Sequence, residues 1–202
     1  MSNGFLDRIY AARGQTETRQ IYDDWAATYD AEVAGNGYAT PARCAAALAA
    51  HTADLSAPVL DFGCGTGLSG CALRDAGFTT IDGMDLSAEM LAEARKKDVY
   101  RTLTRIEADH VLTEGAYASI AAIGVIGAGA APISLLDRLL RALGRGGRLV
   151  FSFNDHTLQD PVHEARINEW TDCGAAYLLM RERGDHLPAL NMSSNVYILE
   201  KA

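Results

Sequence analysis

Two carboxylates and a run of glycines carry the clearest chemistry in this chain. Residues 59–67 read V-L-D-F-G-C-G-T-G, which sets Asp61 just ahead of Gly63, Gly65 and Gly67. Glycines at that spacing let the backbone turn sharply and approach a ligand closely. Val59 and Leu60 suit a short buried strand, and residues 68–76 have helical spacing that stops at Gly77. A strand, a glycine loop and a helix N-terminus make a binding corner of the nucleotide type. Gly65, Gly67 and Gly70 also satisfy G-x-G-x-x-G, the dinucleotide fingerprint. Asp61 argues against a pyrophosphate there: a loop for phosphate gains nothing from a negative charge, whereas a buried carboxylate needs a cationic or hydrogen-bonding partner. The second acid, Asp85 in I-D-G-M-D-L-S, follows 24 residues later. That is the separation needed for one helix and a second strand, where an acid can accept ribose hydroxyls.

An ammonium partner for Asp61 and a ribose partner for Asp85 belong together in S-adenosylmethionine, which has an amino-acid end and an adenosine end. The sequence resembles the class I S-adenosylmethionine-dependent methyltransferases, in particular the small type 11 group. The resemblance rests on V-L-D-F-G-C-G-T-G, then G-M-D-L-S-A-E-M-L-A-E-A, E-A-D at 107–109 and L-G-R-G-G-R-L-V at 143–150, and it covers residues 55–155. It implies an α/β, Rossmann-like, seven-stranded methyltransferase fold: a mostly parallel sheet with a C-terminal antiparallel hairpin and helices on both faces. It also implies S-adenosyl-L-methionine as cofactor and S-adenosyl-L-homocysteine as product. The implied cofactor site takes Gly63, Cys64, Gly65, Thr66 and Gly67 from the loop, with Asp61 beside it. Asp85, Leu86 and Met90 follow, then Asp109 for the adenine amino group and His110 on the same wall, with Ile123, Gly124 and Tyr29 completing the set.

The phrase I-Y-D-D-W-A-A-T-Y-D, followed by G-Y at 37–38, resembles a type 11 subgroup that includes the Williams–Beuren-region methyltransferase. In many such enzymes an N-terminal helical segment forms a lid, which implies that role for Tyr22, Trp25, Tyr29 and Tyr38. From the residues alone, Ile21, Trp25 and Tyr29 form one apolar face of a helix over 16–33, and packing on the domain accounts for that face equally well. The expected organisation is a single methyltransferase domain over 1–202, with a helical lid segment at 1–52 and a Rossmann-like core at 53–202.

With 202 residues, 49% of them hydrophobic, the chain suits one domain with a sizeable core. It leaves nothing for the substrate domain that a dinucleotide dehydrogenase usually adds. A net charge of −8 without a Lys and Arg cluster disfavours nucleic acid as substrate. Cys44, Cys64, Cys71 and Cys173 show neither a C-x-x-C pair nor metal spacing, so reduced thiols in a cytoplasmic protein and no metal site are expected. The N-terminus lacks the apolar core of a signal peptide. Residues 115–136 carry no charge and have the length of a membrane span, but Gly124, Gly127, Gly129 and Pro132 interrupt them. A buried strand followed by a loop fits better, and no membrane contact is expected.

The remaining elements follow in order. Thr40, as N-cap, and Pro41 begin a helix that runs to residue 50. Strands are expected at 79–84, 103–108, 118–126 and 148–153, with helices over 87–97, 134–143 and from Asp160-Pro161 to Gly174. Residues 177–183 and 195–200 alternate and read as an antiparallel pair.

Methyl transfer from a sulfonium is an in-line displacement, in which holding the nucleophile against the methyl group in a dry site does much of the work. A base is needed only where the nucleophile keeps a proton, so a strict catalytic residue is not required. The candidates are Asn154 and His156 at the ligand edge of the fifth strand, together with Tyr22 and Tyr29. Tyr117-Ala118 stands where many relatives carry an acid near the start of strand four, and no N-P-P-Y-like tetrapeptide occurs, which disfavours an exocyclic or amide nitrogen as acceptor. The acidic surface and the aromatic N-terminal segment point to a small, partly apolar or cationic metabolite. Two alternatives stay open: an NAD(P)-dependent reductase using the same loop, and a non-catalytic cofactor-binding protein of this fold. Tyr197 and Lys201 match the Tyr-x-x-x-Lys pair of short-chain reductases, but they lie in a strand pattern with no helix to present them.

Overall fold

Alternation of side chains along short apolar runs sorts this chain into one sheet with two covered faces. The computed structural model describes residues 20–202 apart from Tyr22 and Ala128. Expectations for residues 1–19, and those for Tyr22, lie outside the described residues. The strands are β1 Val59–Phe62, β2 Ile81–Asp85, β3 Thr102–Arg105, β4 Ser119–Ala122, β5 Arg148–Asn154, β6 Ala176–Leu187 and β7 Met192–Lys201. They form a seven-stranded sheet in the order β3-β2-β1-β4-β5-β7-β6. Strands β1 to β5 pair in parallel, and β7 runs antiparallel between β5 and β6. This is the Rossmann-like methyltransferase fold.

The helices in chain order are α1 Tyr29–Gly35, α2 Thr40–Ala50, α3 Leu68–Asp75, α4 Ala88–Arg95, α5 Ser134–Ala142 and α6 Val162–Asp172. Successive strand residues point to opposite faces, so each strand feeds two cores. Leu60, Ile120, Leu149 and Phe151 pack with Leu136, Leu139 and Leu140 of α5 and Ile167 of α6. Val59, Ala121, Val150 and Ile198 pack with Cys44 and Leu48 of α2 and Leu73 of α3. Asp61 has the parity of Val59 and therefore points towards α3.

Several expected boundaries move, each for a visible reason. The helix expected over 16–33 is broken: residues 26–28 form a turn, with the Thr28 amide donating to the Trp25 carbonyl (3.0 Å), and α1 begins at Tyr29. The turn sets the Trp25 and Tyr29 rings edge to face with centroids 4.6 Å apart, while Ile21, Trp25 and Val33 stay buried together. Thr40 is not the N-cap of α2; Ala39 is, and the Thr40 hydroxyl instead meets His186 Nδ1 (2.8 Å) and Ser194 Oγ (2.9 Å) on the C-terminal hairpin. β4 stops at Ala122 rather than reaching residue 126, because Gly124 turns the chain at φ +71°. β3 ends at Arg105, three residues earlier than expected. Ser87 caps α4 by accepting from the Met90 amide (3.0 Å), as its position before an apolar helix requires. Tyr197 lies fully buried in the core and donates to Glu164 (2.8 Å), and Lys201 Nζ reaches the Arg141 carbonyl, so the reductase-like pair is coincidental. Among the described residues no helix is long and apolar enough to cross a membrane.

At the amino end of the sheet Asp82 ties β2 to the start of β3 and to the segment just ahead of β4. It accepts from Arg101 Nε (3.0 Å) and Nη2 (2.5 Å), from Thr102 Oγ1 (2.7 Å) and from Tyr117 Oη (3.1 Å). Hydrogen bonds to a charged group are the stronger kind, but Arg101 is half exposed and screened by solvent. Asp82→Ala is expected to cost about 2–3 kcal/mol of unfolding free energy, read from urea denaturation. Because Asp82 lies at the opposite end of β2 from Asp85, the same change should leave ligand binding intact in the folded fraction.

Candidate functional site

Strand order reverses between β1 and β4, and crevices in open α/β sheets form at the carboxyl ends of strands at such a point. A cleft lies there with about 1310 Å³ of empty space, part of it continuous with solvent. Gly63, Cys64, Gly65 and Thr66 form its floor. On the β2 and β3 side it is walled by Asp85, Leu86, Met90, Ile106, Glu107 and Ala108. On the β4 side the walls are Tyr29, Tyr38, Pro41, Ile123, Gly124 and Val125.

The floor is laid across the end of β2. The amides of Gly63 and Cys64 both donate to the Met84 carbonyl, at 2.7 and 3.0 Å. Asp85 then grips the loop and the next helix at once: Oδ2 accepts the Gly65 amide (2.8 Å) and Oδ1 the Ser87 amide (2.9 Å). An ionised carboxylate offers about four lone-pair sites, so both oxygens can still accept hydroxyl groups from the cleft. Burial raises the pKa of Asp85, the backbone amides of Ser87 and Gly65 oppose that, and the charge of Asp23 adds to it.

Asp61 sits behind the loop and is fully buried. Its Oδ2 accepts from Ser69 Oγ (2.6 Å) on α3 and from Tyr100 Oη (2.8 Å). Its Oδ1 is buried without a hydrogen-bond partner. Among the described residues no Lys, Arg or His is bonded to it. Burial pushes its pKa up to about 6, with the Ser69 and Tyr100 hydrogen bonds opposing and the charge of Asp85 adding to the rise. Burial and the two acids also hold the Cys64 thiol well above its usual value, so that it faces the cleft uncharged.

The third glycine of the apparent dinucleotide fingerprint has a different use. A side chain on Gly70 would come within 2.3 Å of the Tyr100 hydroxyl, and Gly67 and Gly83 border the same ring. The missing side chains make room for a phenol under the loop rather than for a pyrophosphate above it.

Helix α1 is clasped to the floor. Thr66 Oγ1 donates to Asp30 Oδ1 (2.5 Å), and Lys97 Nζ donates to Asp30 Oδ2 (2.7 Å) and to the Thr66 carbonyl (2.6 Å). Next to it, the Tyr38 hydroxyl stands where a side chain on Gly124 would lie, 2.9 Å from that Cβ position. The Tyr38 ring packs edge-on against His186 (centroids 5.3 Å apart), which burial pushes down to about 4 and so keeps neutral.

The cleft thus brings together Tyr29, Gly63, Cys64, Gly65, Thr66, Asp85, Leu86, Met90, Ile123 and Gly124 from the expected set, with Asp61 and Gly67 directly behind them. Two expected residues stand elsewhere. Asp109 is exposed outside the lining, and His110 lines a separate hollow with Phe62, Val111 and Leu139. The early end of β3 is the reason: the chain turns after Arg105 and presents residues 106–108 to the cleft, so Glu107 is the acid found there. Arg138 holds that turn by donating to the carbonyls of Ala108 (2.6 Å) and His110. Of the candidate catalytic residues that are described, only Tyr29 lines the cleft; Tyr22 lies outside the described residues. Asn154 accepts the Thr157 amide (3.0 Å) and shapes a turn, and His156 is exposed outside the lining. Tyr100 and Ser69 are also part of the site, and no pattern of neighbouring residues marks either of them, because their partner Asp61 is brought to them by the packing of β1 against α3.

Residues 38–195 match the methyltransferase domain family, and the chain belongs to it. Human methyltransferase-like protein 27 is 32% identical over 140 residues, which are 65% of this chain and 57% of that protein. The match thus spans little more than half the length of the human relative. Among solved structures, the [4+2]-cyclase SpnF superposes with a TM-score of 0.70 at 16% identity, covering 94% of this chain and 97% of that one. Magnesium protoporphyrin IX methyltransferase (ChlM) from Synechocystis PCC 6803, with bound S-adenosylmethionine, superposes with a TM-score of 0.61 at 19% identity, over 98% of this chain and 90% of that one.

The raised pKa of Asp61 has a consequence for stability. A group that holds its proton more tightly in the folded state contributes stability below its unfolded pKa and loses it as pH rises through the folded one. A rise from 3.8 to about 6 corresponds to about 3 kcal/mol lost between pH 4 and 7. Asp61→Asn should therefore make the ligand-free chain more stable than wild type at pH 8, by about 1–3 kcal/mol, with the gap closing towards pH 4 in urea denaturation.

Proposed function

We propose that this chain binds S-adenosyl-L-methionine in the cleft and transfers its methyl group to a small-molecule acceptor. The observation that carries this reading is the unpartnered, buried Oδ1 of Asp61 beneath a glycine loop whose other side holds Asp85. An uncompensated buried carboxylate is costly, and a ligand ammonium group is the complement its surroundings do not supply. The donor set fits the cofactor. Asp61 would hold the amino group, directly or through water, Asp85 the ribose hydroxyls, and Met90 and Ile106 the faces of the adenine, with Glu107 as the acid near its rim.

The bound cofactor supplies an electrophilic methyl group on a sulfonium. The chain's own part is to position and to exclude water. Tyr29, Tyr38, Pro41 and Val125 give the end away from Asp85 an apolar, aromatic lining, which suits a partly apolar acceptor. Tyr rings there also favour a cation, by about 0.5–2 kcal/mol. Tyr38 takes the place that Asn154 and His156 were expected to hold: its hydroxyl stands beside Gly124, just past the end of β4, and its ring is steadied by the neutral His186 ring. Helix α1 serves as the lid, with Asp30, Thr66 and Lys97 as its catch. The same reading includes membership of the Williams–Beuren-region subgroup, on the strength of the I-Y-D-D-W-A-A-T-Y-D phrase. A nicotinamide reading has no observation in its favour, because the space of the third glycine is filled by Tyr100.

Calorimetry should show S-adenosylhomocysteine binding and no binding of NAD or NADP. Asp85→Ala should weaken that binding about ten- to 150-fold, the effect of losing one or two charged hydrogen bonds. An unchanged dissociation constant in a folded Asp85→Ala variant would remove the ribose assignment. Formation of S-adenosylhomocysteine from S-adenosylmethionine with a panel of hydroxylated aromatic and amine acceptors tests turnover. Lys97→Ala should speed release of S-adenosylhomocysteine about five- to tenfold in stopped-flow experiments, since the catch contributes about 1 kcal/mol.

A further inference from the structure

The hydrogen bonds around Asp61 have a fixed direction. The Gly70 amide donates to Tyr100 Oη (3.2 Å), which leaves the phenol proton to go to Asp61 Oδ2 (2.8 Å). Ser69 donates to the same oxygen (2.6 Å). Both donors therefore bind one oxygen of the carboxylate and leave the other bare and buried. The arrangement is costly to build: glycine is required at Gly70, where a Cβ would lie 2.3 Å from the phenol oxygen, and Gly83 also borders the ring. Burial raises the Tyr100 pKa, and the nearby Asp61 charge raises it further, so the phenol keeps its proton and remains a donor.

We propose that Tyr100 is a positioning residue: it orients the Asp61 carboxylate and keeps it ionised, so that Oδ1 is ready for the ammonium group of the ligand. This rests on the cofactor reading above and assigns a role to a residue outside the cleft lining. The titratable groups facing Asp61 are Tyr100 itself, Asp85 across the loop and the Cys64 thiol. Burial and the Asp85 charge disfavour the ionised form of Asp61, the Cys64 thiol is uncharged, and the hydroxyls of Ser69 and Tyr100 are what counter the first two. Removing the Tyr100 hydroxyl makes Asp61 harder to ionise, which moves the pH at which an ammonium ligand is accepted upward, into the neutral range.

The test is calorimetry from about pH 5.5 to 8 with S-adenosylhomocysteine and with 5′-methylthioadenosine, which lacks the amino-acid end. Wild-type affinity for S-adenosylhomocysteine should rise as pH climbs through about 6, and Asp61→Asn should abolish that rise. Tyr100→Phe should move the midpoint up by about one unit, which weakens S-adenosylhomocysteine about fivefold at pH 6 and hardly at all at pH 8. Ser69→Ala should shift it in the same direction. Affinity for 5′-methylthioadenosine should be the same in all four proteins. A merely structural Tyr100 predicts equal losses for both ligands at every pH, and that result overturns the proposal. So does an unmoved midpoint in Tyr100→Phe while Asp61→Asn still abolishes the pH dependence, and the cofactor reading then survives. A wild-type protein that ignores S-adenosylhomocysteine, or binds it without any dependence on Asp61, overturns both.

Discussion

Everything around the cleft depends on one constraint: a carboxylate, Asp61, is held entirely out of water with only one of its two oxygens satisfied. Such a group is tolerated where local donors offset most of its lost hydration. Ser69 at the start of α3 and Tyr100 ahead of β3 are those donors, and together they bring α3 and the edge of the sheet against β1. The glycines at 67, 70 and 83 are then packing requirements as much as ligand requirements, because each borders the Tyr100 ring. The residual cost is stored at the bare oxygen, which is where an ammonium-bearing ligand gains most.

Asp85 solves the complementary problem on the wall of the cleft. Its two oxygens fasten the Gly65 and Ser87 amides, so the acid that faces the cleft also fixes the loop on one side and the helix start on the other. Movement of either element is thereby tied to the carboxylate, and rigid floor geometry follows from charge-assisted hydrogen bonds rather than from apolar packing. By contrast, α1 is held to the floor through Asp30, Thr66 and Lys97, contacts that are partly exposed and therefore weaker.

The fold alone leaves the reaction open. A [4+2]-cyclase shares this architecture over nearly the whole chain, and so does a methyltransferase acting on a magnesium porphyrin. Function on a shared scaffold lies in the lining of the site, and in this chain Tyr38 fills the space beside Gly124 at the end of β4 while Tyr29, Pro41 and Val125 set the polarity there.

Local pattern was enough to read the strand, glycine loop and helix at 59–76, the helix that follows Asp85, the amphipathic helix from Ser134 and the closing hairpin, because periodicity and turn chemistry act over a few neighbouring residues. It was also enough to single out Asp61, whose charge is anomalous for a phosphate loop, and Asp85, which the spacing sets after the second strand. Contacts between distant residues were decided by tertiary structure. Thr40 has the look of a helix cap, yet its hydroxyl is drawn to His186, 146 positions away. Asp109 fits a family pattern, yet β3 ends early and Glu107 faces the cleft instead. Tyr100, 39 positions from Asp61, has no local signal at all, since which oxygen of a buried acid is satisfied depends on how the elements pack and not on the order of the residues.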